Sequence, residues 1–268
     1  MEIPLLSLDG KVAGNVRLPA QFNEKVRKDM IKRAVEVCQA NRRQPYGTDP
    51  RAGKRASAKL SRRRRNFRGA YGKGISRVPR KIMSKNGANL AWIGAFAPST
   101  VKGYRAHPPK ASKQWEQKIN SRERKKAIRS ALAATLQRDI VQERNHQLPT
   151  TYPFAFQGEI EALHKTSDVQ TLLEKIGLQT ELDRTSVQTI RPGKGKNRGR
   201  PYRKKIGPLL VVSAPCKLSN AARNIPGIDV IPVRLLNAEV LAPGAVAGRL
   251  TIFTNKALVL LEEQKLFA

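Results

Sequence analysis

The chain has 268 residues, with 52 Lys or Arg against 20 Asp or Glu, for a net charge of +32. A charge so far from zero repels itself in a compact state and calls for a polyanionic partner, which at this density means nucleic acid. No apolar run reaches the roughly 18–20 residues of a membrane span, and the N-terminus lacks the basic-then-apolar order of a secretory signal, so no membrane partner and a cytoplasmic location are expected. Cys38 and Cys216 stand alone, with no Cys or His at ligand spacing. That argues against a disulfide framework or a zinc knuckle and fits a reducing compartment.

In chain order, Ile3–Leu8 and Val12–Leu18 flank Asp9-Gly10 and predict a hairpin or two short strands. From Asn23, the recurrence of Val26, Met30, Ala34 and Val37 predicts an amphipathic helix to about Ala40, with Asn23 as its cap and Cys38 in the core. A helical pattern resumes near Asn120, with Ala127, Ile128, Ala131, Leu132 and Thr135 on one face, and a short helix covers Arg138–Arg144. Tyr152–Phe156 reads as a strand, Asp168–Ile176 as a helix capped by Ser167, and Glu181–Thr189 as another helix. Leu209–Val212 is a continuous apolar run, the mark of a strand buried on both faces. A helix at Lys217–Arg223, strands at Asp229–Val233 and Leu250–Thr254, and a helix from Lys256 complete the chain, with Cys216 at the core edge. Strands alternating with helices predict an α/β fold: a Rossmann-like, open, mostly parallel sheet with flanking helices.

Two elements stand outside this pattern. Residues 42–113 hold 20 Lys or Arg and one acid, Asp49; the remaining 196 positions carry a net +13. The expected organisation is therefore a globular body of residues 1–41 and 114–268 and an extended, RNA-penetrating loop of residues 42–113. Too few apolar residues are present there for a core, and 72 residues out and back could reach about 120 Å if fully extended. Its aromatics, Tyr46, Phe67, Tyr71, Trp92, Phe96 and Tyr104, are interleaved with cations, a composition suited to unpaired RNA. The bland alternative is a solvated, disordered loop. Residues 191–205, RPGKGKNRGRPYRKK, hold eight cations and no acid, and predict a basic surface loop of the body that grips phosphates; a localisation signal is the alternative.

The residues expected to meet RNA follow from these two elements. In the long loop they are Arg42, Arg43, Tyr46, Arg51, Lys54 and Arg55, then Arg62, Arg63, Arg64, Arg65 and Arg68, then Arg77, Arg80 and Lys81, and finally Lys102, Arg105, His107 and Lys110. In the second element they are Arg191, Lys194, Lys196, Arg198, Arg200, Arg203, Lys204 and Lys205. Catalytic signatures fail on spacing. Gly47 to Lys54 has five residues between its glycines and Arg55 where magnesium chemistry needs Ser or Thr, so it is not a P-loop. Gly193-Lys194-Gly195 with Gly199 misses the dinucleotide fingerprint by one residue and precedes a strand instead of following one. No active site, metal, cofactor or small-molecule substrate is expected.

Five blocks carry a family resemblance: residues 41–58 (NRRQPYGTDPRAGKRASA), 76–81 (SRVPRK), 95–110 (AFAPSTVKGYRAHPPK), 191–213 and 235–254. In this order they closely resemble the archaeal and eukaryotic branch of large-subunit ribosomal protein four, the universal L-four family, and more nearly its archaeal members. The resemblance implies a Rossmann-like body and an internal loop threaded into large-subunit ribosomal RNA. It also implies a loop tip lining the nascent-peptide exit tunnel beside protein twenty-two and other ribosomal neighbours. The family's Gly-rich tip matches Tyr71, Gly72, Lys73, Gly74, Ile75, Ser76, Arg77 and Val78, which are therefore expected to face the tunnel. Many relatives have small residues before the tip, whereas this chain has Lys59 to Arg65, four of them consecutive Arg. An RNA-modifying enzyme and a free nucleic-acid chaperone are the competing readings.

Overall fold

In the computed structural model, which describes residues Met1–Ala268, the N-terminal apolar runs form an antiparallel pair. These are β1 (Glu2–Leu6) and β2 (Val12–Arg17), joined by a turn with Gly10 in the left-handed region. The first long helix, α1 (Lys28–Arg42), begins later than expected, because Asn23 ends a short 3-10 turn instead of capping it. The cause is tertiary. Ser130 Oγ accepts from the Arg27 N–H at 2.6 Å and donates to the Lys25 carbonyl at 3.0 Å, so a distant helix supplies the hydrogen bonds at this helix start. Its buried face is Ile31, Ala34, Val35 and Val37, with Val26 and Met30 only at the margin. Cys38 is half-buried at the edge of that face, and burial together with nearby Glu239 pushes its thiol up.

A hairpin follows, β3 (Arg80–Asn86) and β4 (Asn89–Gly94), then α2 (Ser121–Leu136), α3 (Arg138–Glu143) and β5 (Ala155–Phe156). Next come α4 (Thr166–Lys175) and α5 (Gln179–Ser186). Ser167 lies inside the first turn of α4 and bonds Asp168, so it is not the cap. Helix α5 stops short of Thr189 because β6 (Thr189–Ile190) pairs antiparallel with β7 (Tyr202–Arg203). The chain ends with β8 (Leu209–Val212), α6 (Lys217–Ala222), β9 (Asp229–Pro232), α7 (Ala238–Leu241), β10 (Thr251–Thr254) and α8 (Asn255–Glu263). The one-turn α7, capped by Asn237 Oδ1 accepting from the Val240 N–H at 2.9 Å, was not expected from periodicity.

The architecture is mixed α/β. Six strands form a sheet in the order β2-β1-β5-β10-β8-β9, and every pair except β1–β2 is parallel. Period-two alternation then sorts the strand side chains between two cores. Ile3, Leu209, Val211 and Phe253 join α1, α2, α7 and α8 in one; Leu6, Phe156, Leu210, Val212 and Ile252 join α4 and α6 in the other. At the carboxyl ends of β8 and β10, buried Glu161 accepts from the Ser213 N–H (2.9 Å), the Ser213 hydroxyl (2.6 Å) and the Thr254 hydroxyl (2.7 Å). Glu161 thus ties the carboxyl ends of β8 and β10 together, at the edge where open α/β sheets commonly bind ligands. No helix is long and apolar enough to cross a membrane.

A second buried polar cluster holds α5 to the segment after α3. The His146 Nδ1–H donates to Glu181 Oε1 at 2.6 Å, while the Gln147 N–H and the Arg184 guanidinium donate to the same carboxylate at 2.7–3.0 Å. Burial pushes the His146 imidazole below the ordinary histidine range, outweighing the Glu181 contact. Because the folded value lies below the unfolded one, the contribution is complete above about pH 6.5 and is lost as pH falls through the folded value. Replacing His146 with Gln should flatten the dependence of stability on pH between about 7 and 5. Denaturant titrations of the full chain at stepped pH check this, and an unchanged slope in H146Q would refute the assignment.

Candidate nucleic-acid interface

The chain resolves into two compact units, Met1–Arg42 with Glu116–Ala268, and Arg43–Trp115. In the second, only Ala70 and Ala95 are buried apolar side chains, while Tyr46, Phe67, Tyr71, Met83, Ile93, Phe96 and Val101 are exposed. What regularity it has is local. Strands β3 and β4 close on a two-residue turn with Gly87 at its first position in the left-handed region, the arrangement that two-residue hairpins favour. The hairpin was not expected, although Asn86-Gly87 beside Leu90 to Ile93 was a signal for one.

Backbone proximity organises the rest. A Cβ on Gly53 would lie 2.4 Å from the Tyr104 N, and one on Gly103 would lie 1.9 Å from the Ala97 carbonyl oxygen, so neither position can carry a side chain without moving the chain. Gly72, Gly74 and Gly87 face open space, and there glycine serves conformation alone. Asp49 Oδ1 accepts from the Arg51 N–H at 2.8 Å, and its other oxygen accepts from Arg55. The Arg51 amide, helped by Arg55, holds the Asp49 carboxyl below its usual range.

Of the 20 cations in residues 42–113, Arg42 pairs with Glu239 and Arg55 with Asp49; the other 18 have no carboxylate within 4.0 Å. Arg68, Arg80 and Lys81 are half-buried, and the remaining cations singled out in this segment are exposed, as are Tyr46 and His107. Four residues other than glycine, Arg65, Arg68, Phe96 and Lys102, have φ between +56 and +65. Such conformations cost on the order of 1–3 kcal/mol each and persist where surroundings impose them. Tyr71, Gly72, Lys73, Gly74, Ser76 and Arg77 are exposed, and Ile75 and Val78 half-buried.

The second basic element is the β6–β7 hairpin. Its connection is a 3-10 turn, Gly193–Arg198, ended by Gly199 in the left-handed region. Lys194, Lys196, Arg198, Arg200, Arg203, Lys204 and Lys205 are exposed, Arg191 is half-buried, and none of the eight forms an ion pair. Both basic elements are thus positive surfaces with little internal compensation, able to hold a polyanion by phosphate contact and by ring stacking.

One contributor lay outside the expected set. The Trp115 ring carries the Arg43 guanidinium 3.7 Å from its centroid and stacks on Tyr46 at 5.9 Å with 17° between planes. Its place two residues beyond the last cation of the run was the only signal, and counting charge cannot see it.

The comparisons with known proteins agree across the whole length. Residues 16–264 match the ribosomal protein L4/L1 family. The chain is similar to the large ribosomal subunit protein uL4 of Nanoarchaeum equitans, 50% identical over 268 residues and covering 100% of both chains. It is likewise similar to that of Methanopyrus kandleri (43%, 98% of this chain and 99% of the relative) and of Halobacterium salinarum (41%, 96% and 98%). The relatives are named as ribosomal proteins, not enzymes. With the family match spanning residues 16–264 and relatives up to 50% identical over nearly the full length of both chains, the chain belongs to the ribosomal protein L4/L1 family.

Proposed function

We propose that the protein is a non-catalytic constituent of the large ribosomal subunit in the cytoplasm, where it binds large-subunit ribosomal RNA and stabilises its fold during assembly. The loop of residues 42–113 is the RNA-penetrating element, and the Rossmann-like body of residues 1–41 and 114–268 adds the hairpin around 191–205 as a second phosphate grip. Tyr71 to Val78 face the nascent-peptide exit tunnel, beside protein twenty-two and other ribosomal neighbours. The observation that carries this reading is the set of 18 cations in the long segment with no acidic partner. Internal repulsion on that scale is relieved by phosphates, and the exposed rings among those cations suit unpaired bases.

The test is fractionation. Tagged full-length protein in an archaeal cell extract should co-sediment stoichiometrically with large subunits at moderate salt. Free protein at the top of the gradient, or equal retention on duplex DNA, would sink the ribosomal reading in favour of a free chaperone.

A further inference from the structure

Every pairing of a cation with an aromatic face in this molecule lies inside Arg43–Trp115: Arg43 on Tyr46 and Trp115, Lys54 on Tyr104, Arg68 on Phe67, Lys73 and Arg80 on Trp92, Arg77 on Tyr71, and Lys113 on Trp115. Proteins ordinarily show about one significant case per 70–80 residues. The aromatic faces are therefore already used, by groups that would pair more strongly with phosphate.

The densest cluster is around Trp115. Besides Arg43 and Tyr46, the Lys113 Nζ sits 4.2 Å from the ring centroid. The indole Nε1–H is shielded from solvent and has no acceptor. Beside it opens a cleft of about 540 Å³ lined by Tyr46, Arg105, His107, Lys110, Lys113 and Trp115, within the about 300–1,000 Å³ of small-ligand sites. Its walls are fixed to each other. The Thr48 N–H donates to the Pro109 carbonyl at 3.2 Å, and a Cβ on Gly47 would lie 2.7 Å from the Ala111 N. No carboxylate lines it, so a cationic ligand is disfavoured; two rings and three cations suit a flat, anionic one.

We propose that this cleft binds one unpaired nucleotide of RNA, its base stacked on the Tyr46–Trp115 pair and its phosphates taken by Arg43, Lys110 and Lys113. The inference rests on the RNA-binding reading above and sharpens it. Arg43 and Lys113 occupy the indole face in the free protein and exchange it for phosphate when RNA arrives, which bares the ring for the base. A base inside a duplex has both faces stacked already and cannot enter.

The two tryptophans are Trp92 and Trp115, so W92F leaves Trp115 as the sole indole reporter in the full chain. A mixed-sequence RNA strand of about 16 nucleotides, alone or annealed to its complement, is titrated while indole emission and the anisotropy of the labelled RNA are followed together. The single strand should quench Trp115 and the duplex should not. Tyr46→Ala should weaken single-strand binding about 5- to 150-fold, the loss of one stacked base, with Tyr46→Phe restoring it and duplex affinity unmoved. Binding seen by anisotropy without quenching, quenching equal for both forms, or no effect of Tyr46→Ala would each overturn this site and leave RNA binding standing. If neither RNA bound, the RNA-binding reading would fall, and the site with it.

Discussion

Excision of residues 43–115, with Arg42 joined to Glu116 through a few Gly and Ser, should leave a body that unfolds cooperatively within a few degrees of the full chain. The two ends of the excision already meet. Asn41 Nδ2 donates to the Gln117 carbonyl at 3.2 Å, and Asn41 Oδ1 accepts from the Gln117 N–H at 2.9 Å. Closing a shorter loop there costs less chain entropy than closing the natural one. Both sheet-flanking cores lie wholly in the retained residues, so the apolar burial that drives folding survives. RNA affinity should not survive. Proteins making some 6–10 phosphate contacts lose about 10³–10⁵ in affinity between low and moderate salt, and a chain stripped of the 18 unpaired cations of this segment should lose on the order of 10³-fold or more at fixed salt. The measurement pairs thermal melts with gradient sedimentation of reconstituted large subunits. An unfolded remnant, or a shortened chain still incorporated in full, would show that folding and RNA binding are not divided as proposed.

Replacing Glu181 with Ala should be among the most destabilising single changes in the body. The side chain is fully buried and takes hydrogen bonds from His146, Arg184 and the Gln147 amide. Burial alone would push its carboxyl up, yet those donors outweigh it and hold it below the usual carboxylate range. Removing the acid leaves the Arg184 guanidinium without its counter-charge and the neutral His146 N–H without its acceptor, and breaking a buried pair in this way costs about 3–5 kcal/mol. In a chain of this size that corresponds to a drop in Tm on the order of 10 °C. The sign with pH follows from the depressed folded value: the contribution is present above the ordinary carboxylate pKa and lost as pH falls through the lowered one. The gap between native and E181A stability should therefore close below about pH 4. Denaturant melts across that range decide it, and a cost under about 1 kcal/mol at neutral pH would mean that the cluster is solvated.

Neighbouring cations bear on the same region. Arg249 is buried and donates to the Gly207 and Val240 carbonyls and to Asp229 at 2.5–3.2 Å; burial pushes it down even though Asp229 pulls it up. Arg144 donates to the Val246 and Pro243 carbonyls, and burial with repulsion from Arg249 and Arg184 brings it to about 10. These arginines hold loops by their carbonyls. They are structural cations of the body, unlike the unpaired ones of Arg43–Trp115, and composition alone does not tell the two kinds apart.

Where the sequence was legible, a local pattern carried the information. Four consecutive apolar residues at Leu209–Val212 are enough to require a strand covered on both sides, and β8 has all four buried. The alternation of such runs with helical periods leads to a mostly parallel sheet for the same reason. Helix boundaries failed where a distant atom decided them, as Ser130 does for α1 and the β6–β7 pairing does for α5. The β3–β4 hairpin was obscured because charge dominated its neighbourhood, although its turn residues were visible.

By itself, the sequence determined the α/β class, the concentration of positive charge in residues 42–113 and 191–205, and the family, because each is written in composition, periodicity or residue order. Only the tertiary structure decided which cations are free to meet a ligand, which carboxylates are buried among donors, and that Trp115 closes on Tyr46 across 69 positions of chain. The physical reason is range. Periodicity and charge are properties of neighbours along the chain, whereas burial, counter-charge and ring stacking belong to residues that folding alone brings together.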